Sequence, residues 1–406
     1  MIAIAGGTYV ERCVDPPWDQ LFGSGGRAAS SLCALDDQIT LITYVDDRHR
    51  PALEALAATL GFKINATSIQ STPSFSYYHG LSEPRIRPNQ QFLGKSTPLV
   101  LEDSTILRFG FLEGDAVVRG ERVVYDPQSA FDPRPFHENG STARELAIVA
   151  NYRECMSLAG TQTELAPLEM GRAVLQNQNA QVVVVKQGSF GATVVTQDAE
   201  KHLPAFRTER VWPIGSGDVF AAVFAYEWGV QRNDPLQAAL TASLATAYYC
   251  DTTSVPIPTD LHSKFSPASV ISSGKFPHEQ NQIYLAGPFF TMTQRWLIDH
   301  SRKHLTEQGF KVFSPLHDVG YGNAAKVVPE DIAAIKKSDL LFALLDGLDP
   351  GTIFEVGYAR ALNKPVVAFV QNEAAKDLKM LRGTDCELVD DFASAIYRAT
   401  WAAMSL

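Results

Sequence analysis

Residues 339–370, DLLFALLDGLDPGTIFEVGYARALNKPVVAFV, place a helix-patterned stretch between two unbroken apolar runs. Apolar runs that do not alternate mark strands buried on both faces, and a strand–helix–strand unit makes parallel neighbours. The same order extends outward. QIYLAG leads into a helix at 293–308, FKVFSP into one at 329–338, DLLFALL into one at 353–362, and PVVAFV follows. Four strands separated by helices in so short a span predict a small doubly wound, Rossmann-like parallel sheet over 281–406.

Upstream, 1–252 repeats the pattern on a larger scale. IAIAG is followed by a glycine-rich loop and the alanine-rich GSGGRAASSLCALD. Further strands are predicted at 39–45, 121–125 and 181–186, and helices at 51–60, 141–159, 164–176 and 218–230, again a covered parallel sheet. Residues 63–115, richer in Thr, Ser, Pro and Phe, read as a small flap of strands. Between the two domains, 253–280 is rich in proline and hydroxyl residues and has no period, which reads as a linker.

The 406 residues are 45% hydrophobic and 20% charged, ample material for two cores. A net charge of −10 without a Lys/Arg run argues against nucleic-acid and anionic-membrane partners. Small anions are still accommodated, because helix N-termini bind them without net positive charge. Five scattered cysteines with no C-x-x-C pair fit reduced thiols. The opening MIAIAGG lacks a basic segment ahead of a long apolar one, and no apolar run approaches the roughly 20 residues of a membrane helix. Together these predict a cytoplasmic protein.

Two stretches carry chemistry. In VWPIGSGDVFAAVFAY, residues 211–226, Gly215, Ser216 and Gly217 precede a helix opened by Asp218. Such a loop turns its amides toward one point, where the helix dipole adds positive potential for a transferred phosphoryl group. A carboxylate at the helix start takes the proton of an attacking hydroxyl. A plain turn with an acidic helix start reads equally well from this motif alone. In the 339–370 stretch, Asp349 follows a strand, Glu355 falls in the first turn of the next helix, and Gly357 opens its surface. Asp331, near the start of the preceding helix, reaches the same sheet edge. Carboxylates around one pocket suit glycosidic chemistry, one attacking or stabilising the anomeric carbon and another assisting the leaving group. The helix dipole favours ionised Glu355. Acidic residues also simply favour helix N-termini, which leaves that reading open for Asp331 and Asp349.

In company, these motifs resemble known families. Gly25-Gly26 before an alanine-rich helix, Asp126-Pro127 after a strand, Asn151-x-x-Glu154, Lys186-x-Gly188-x-x-Gly191 and the Gly215–Asp218 loop together resemble the ribokinase-like (PfkB) sugar and nucleoside kinases. The resemblance implies an α/β/α sandwich with ATP and Mg²⁺ as cofactors. By it Asp218 is the base and Gly215, Ser216 and Gly217 form the anion hole. Asn151 and Glu154 help place Mg²⁺ indirectly, Gly188 and Gly191 lie near the nucleotide, and Gly25 and Gly26 approach the sugar. Two positions depart from the family: Trp212-Pro213 stands where Asp-Thr is usual, and Ser30 where Asn is frequent.

Residues 281–375 resemble the nucleoside 2-deoxyribosyltransferases and their nucleotide N-glycosidase relatives through IYLAGP (283–288), FSP (313–315), Asp331 and GTIFEVGYA (351–359). This implies Glu355 as nucleophile, Tyr284 as the residue orienting it, and Asp331 and Asp349 at the leaving base. No cofactor is implied, and a homo-oligomer is. Gly287 and Pro288 would line the substrate site. Arg295, with Thr291 and Thr293, either cradles a 5′-phosphate or is a solvated helix residue. His317 either lines the pocket or is a loop histidine.

The sequence therefore predicts a bifunctional enzyme acting on nucleosides or nucleotides. A kinase at 1–252 would phosphorylate a nucleoside or ribose-type sugar, and the domain at 281–406 would cleave the N-glycosidic bond of the monophosphate. Two alternatives stand beside it: base exchange on free nucleosides, and a degenerate kinase domain that senses nucleosides.

Overall fold

Strand Ile2–Ala5 sends Ile2 and Ile4 into one apolar core and Ala3 and Ala5 into another, in a computed structural model that describes residues 1–129, 132–270 and 281–406. It lies in a nine-stranded sheet ordered Glu200–Leu203, Ala192–Thr196, Val182–Lys186, Thr142–Asn151, Ala116–Asp126, Leu99–Phe109, Ile2–Ala5, Ile39–Val45, Lys63–Ser68. Seven consecutive strands, from Val182–Lys186 to Lys63–Ser68, are parallel, and two antiparallel strands finish the other edge. Helices Gly23–Leu32, Ser216–Phe224 and Pro235–Thr252 pack Ala28, Val219 and Ala239 into the first core. Helices Tyr152–Leu158 and Pro167–Asn177 pack Leu158, Met170 and Val174 into the second. The result is a three-layer α/β/α sandwich with a parallel-dominated sheet.

The expected helix at 141–159 is mostly strand. Thr142–Asn151 is a central strand, and only Tyr152–Leu158 is helical. Leu146, Ile148 and Ala150 face one core while Ala147 and Val149 face the other. A run buried on both faces shows no period, and the neighbouring Arg, Glu and Ala residues imitated a helix. The expected flap at 63–115 is also divided. Lys63–Ser68 and Leu99–Phe109 belong to the large sheet, whereas Ser74–His79 and Arg85–Arg87 join Val10–Asp15 and Trp18–Leu21 in a separate four-stranded sheet.

Contacts divide the chain into Met1–Thr208 with Trp212–Ser269, and Glu209–Val211 with Val270–Leu406. Of the expected linker, 253–270 is described and buries Ile257 and Leu261 in the core of the first unit, while 271–280 lies outside the described residues. The second unit is a five-stranded, wholly parallel sheet in the order Lys311–Phe313, Gln282–Ala286, Leu340–Leu344, Val366–Phe369, Glu387–Val389. The fifth strand, too short to show a pattern, was not expected. Strand order reverses between Gln282–Ala286 and Leu340–Leu344, which opens a crevice at their carboxyl ends. Among the described residues no helix is long and apolar enough to cross a membrane.

Candidate active sites

In the first unit, Gly215 adopts φ +78°, and a Cβ there would fall 2.1 Å from the Arg27 guanidinium. Only glycine lets the loop pass over that arginine into helix Ser216–Phe224. Ser216 Oγ returns to the Pro213 carbonyl, and the Gly217 amide has no backbone partner among the described residues. Asp218, in the first turn, is 8% exposed. Arg27 Nη1 donates to Asp218 Oδ2 at 2.9 Å, and Gln128 Nε2 donates to Oδ1.

Arg27 is 1% exposed and fully engaged. It pairs with both oxygens of Glu11, and its Nε donates to Tyr249 Oη at 3.0 Å. Burial alone would lower its pKa, but the Glu11 carboxylate and the other anions outweigh that and hold it well above its ordinary value. A cavity of about 950 Å³ opens over these groups, lined also by Tyr77 of the small sheet, Asn151, Glu154 and Lys186.

At the floor of this cavity Lys186 Nζ pairs with Asp126, and a Cβ on Gly217 would lie 3.3 Å from the same nitrogen. Burial pushes the Asp126 carboxyl up to about 7 against the pull of Lys186, and burial likewise raises Glu154. Asn151 and Glu154 form a reciprocal cap: Glu154 N donates to Asn151 Oδ1 at 2.9 Å, and Asn151 N to Glu154 Oε2 at 2.8 Å. Carboxylate and amide oxygens are the hard donors Mg²⁺ takes. The cap uses the single side-chain oxygen of Asn151 and one of the two on Glu154, so the pair fits magnesium through its water shell.

The glycines divide by role. A Cβ on Gly25 would meet the Gly6 carbonyl oxygen at 2.5 Å, so Gly25 lets helix Gly23–Leu32 approach the first strand, whereas Gly26 faces open space. Gly188 and Gly191 shape the turn after Val182–Lys186, where a Cβ on Gly191 would strike the Leu203 carbonyl. None of these four is among the residues lining the cavity. Trp212 is buried against Trp18, with ring centroids 5.1 Å apart, and Ser30 is fully buried in its helix.

In the second unit, Tyr284 is fully buried on Gln282–Ala286, stacked on Phe313, and its hydroxyl donates to Glu355 Oε1 at 2.7 Å. Helix Pro350–Ala361 starts earlier than expected, because Asp349 caps it and Pro350 takes the first position. Glu355 is therefore in the second turn, where the dipole has faded. Its carboxyl is not held ionised as the sequence suggested. Burial raises it to about 7, the Tyr284 hydrogen bond pulls it down, and the charges of Asp331 and Asp349 add to the rise.

Asp331 lies mid-helix in Ala324–Lys337, not near its start, because Asn323 caps the helix and it continues through Pro329. Burial, then the Glu330 charge, raises Asp331 to about 6, and its buried Oδ1 has no hydrogen-bond partner among the described residues. Its charge acts on both Tyr284 and Glu355, raising each, so the three groups are electrostatic neighbours. Asp349 Oδ2 accepts from Thr352 N at 2.8 Å and from Thr352 Oγ1 at 3.0 Å. Asp349→Ala should cost about 1 kcal/mol and loosen the first turn of the helix that carries Glu355. A thermal melt unchanged from the native chain would contradict the capping role.

Gly287 and Pro288 follow the carboxyl end of the Tyr284 strand. Exposed Arg295 donates from Nε to the Phe289 carbonyl at 2.9 Å and lies under the Tyr321 ring. His317 is held by Asp299 at 2.9 Å and by Ser314 Oγ at 3.1 Å, and no hydrogen bond among the described residues joins it to Glu355 or Asp331.

Sequence reasoning passed over Glu11, Gln128 and Tyr249, and it quoted Arg27 and Lys186 only as parts of motifs. Arg27 directly follows Gly25-Gly26, a legible signal. Glu11 and Tyr249 sit on strand Val10–Asp15 and helix Pro235–Thr252, segments that carry no motif and to which the sequence assigned no element.

The profile of pfkB family carbohydrate kinases matches residues 139–254, and that of nucleoside 2-deoxyribosyltransferases matches 283–391. No curated protein matched the chain. Solved structures similar to it include ribokinase from Thermotoga maritima, at 17% identity over 65% of this chain and 98% of that one, with TM-score 0.45. A fructokinase double mutant from Vibrio cholerae O395 is 15% identical over 65% and 98%, with TM-score 0.49. Nucleoside kinase from Methanocaldococcus jannaschii, an archaeal member of the ribokinase family, is 14% identical over 64% and 96%, with TM-score 0.48. The chain thus joins a kinase domain of the PfkB type, matched over 139–254, to a domain of the nucleoside 2-deoxyribosyltransferase family, matched over 283–391.

Proposed function

We propose that the chain phosphorylates a nucleoside in its first unit and cleaves the N-glycosidic bond of the resulting 5′-monophosphate in its second. The observation that carries the second step is the Tyr284–Glu355 hydrogen bond, beside a half-buried Asp331 whose Oδ1 has no hydrogen-bond partner among the described residues. Glu355 attacks the anomeric carbon, the carbon–nitrogen bond breaks, and its electron pair stays on the base, which takes a proton from Asp331. Water, giving its proton to Asp331, then opens the ribosyl ester and restores Glu355, leaving free base and a sugar phosphate. Tyr284 holds Glu355 in line throughout.

In the first unit, Asp218 accepts the proton of the acceptor hydroxyl as that oxygen attacks the γ-phosphorus. The Gly215–Gly217 loop and the helix N-terminus face the charge that develops, with Lys186 beside them. When bound, ATP·Mg²⁺ supplies the phosphoryl group and the cation that neutralises its oxygens. Asn151 and Glu154 would hold that cation through water.

The test is chromatographic detection of base released from nucleosides and from their 5′-monophosphates, each with and without ATP·Mg²⁺. Monophosphates should lose their base without ATP, and nucleosides only with ATP and intact Asp218. Equal release from nucleosides without ATP in the Asp218→Asn chain would end the relay. One observation favours a second reading, in which the first unit binds nucleosides without phosphorylating them: Trp212, at a position that departs from the kinase pattern, is buried in the core against Trp18 and offers the cavity no polar group. Nucleoside binding without ADP formation would select it.

A further inference from the structure

Gln128 is a non-glycine residue at φ +44°, a backbone conformation that costs energy and persists only where surrounding contacts enforce it. Those contacts are visible. Its amide N–H reaches Asp126 Oδ1 at 3.3 Å in a turn around Pro127, and Asp126 is itself fully buried and locked to Lys186. The consequence is directional, because the side chain projects across the cavity and Nε2 donates to Asp218 Oδ1. Arg27 holds the other oxygen, so the carboxylate is gripped from both sides. Each carboxylate oxygen has a second lone pair, and the grip therefore fixes the plane of Asp218 without consuming its capacity to accept a proton.

We propose that Gln128 is a positioning residue for proton transfer in the first unit, fixing the Asp218 carboxylate toward the acceptor hydroxyl. This rests on the kinase reading given above. A base misaligned by a fraction of an ångström loses rate while ground-state binding is unaffected, so Gln128 acts on turnover and not on acceptor affinity. Its strained backbone is the means of aiming an amide that an extended residue would carry elsewhere.

The experiment uses the full chain and follows ADP formation with ATP·Mg²⁺ and a panel of adenosine, guanosine, inosine, cytidine and uridine. Gln128→Gly keeps the left-handed backbone free of strain and deletes the side chain with its amide donor. It should leave the thermal midpoint unchanged or raised and the acceptor KM within about twofold, while lowering kcat by about 10-fold or more. In an Asp218→Asn background the same change should have no further effect, because the carboxylate it positions is gone. Gln128→Met, which keeps the bulk without the donor, should match Gln128→Gly in kcat. An unchanged kcat, a loss confined to KM, or an equal loss in the Asp218→Asn background overturns the positioning role and leaves the kinase reading intact. A native chain that forms no ADP with any of the five nucleosides overturns both.

Discussion

Glu355→Gln should abolish base release and, above pH 7, make the protein more stable. The amide cannot attack the anomeric carbon, so a loss of at least ~1,000-fold is expected. Stability moves the other way for an electrostatic reason. Burial raises the folded-state carboxyl to about 7 from an ordinary 4.5, so the folded chain keeps a proton that the unfolded chain has released. Stability therefore falls as pH rises from 4.5 toward 7, and the whole penalty, about 3 kcal/mol, applies above 7. Glutamine still accepts the Tyr284 hydrogen bond but carries no charge, so it escapes the penalty. Melts of both proteins should coincide near pH 4 and separate by pH 8, with the variant higher. A variant less stable at pH 8 would show that Glu355 is not buried as described. Activity should follow the same groups. A nucleophile near 7 and an acid near 6 are rarely in their working forms together, so kcat/KM for base release should peak between those values and fall on both sides.

Arg27→Met should destabilise the first unit by about 3–5 kcal/mol. Methionine fills much of the volume but leaves Glu11 and Asp218 buried without their cation, and Tyr249 Oη without the donor that complements its own bond to the Ile214 carbonyl. Such a loss is a large share of the 5–15 kcal/mol that ordinarily holds a domain together. Urea denaturation followed by the fluorescence of Trp18, Trp212 and Trp228, all in this unit, measures it. Adding Glu11→Gln should recover part of the loss by removing one orphaned charge. A midpoint equal to that of the native chain would refute the buried cluster.

The alternation of strand and helix in each domain was legible because parallel strands buried on both faces leave long apolar runs, as in VVVVK and LLFAL. The same property misled at Thr142–Asn151, where Arg144, Glu145 and several alanines surround a run without period. Tyr284 and Glu355 could be named from sequence because each sits in a motif, yet their electrostatics could not. Whether a carboxyl is raised or lowered depends on a helix that starts three residues earlier than its pattern suggests and on burial that only packing supplies. Gln128 was beyond reach for a related reason. Its importance lies in a backbone angle and in a contact with Asp218, 90 residues further along the chain.

The order of strands in the two sheets sets different terms for their assembly. Ile2–Ala5 is an inner strand of the large sheet, pairing on one side with Ile39–Val45 and on the other with Leu99–Phe109. As the chain is synthesised, Ala3 must therefore wait for Ile106, with a whole small sheet made in between, before its second row of hydrogen bonds can close. In the second unit Ile283 meets Val312 on one side and Leu340 on the other, over much shorter loops. Closing a long loop costs entropy before the contacts return anything, which slows folding and prolongs the exposure of apolar strands. The kinase-type half is thus the slower to complete and the more dependent on protection while nascent, although it is the half translated first.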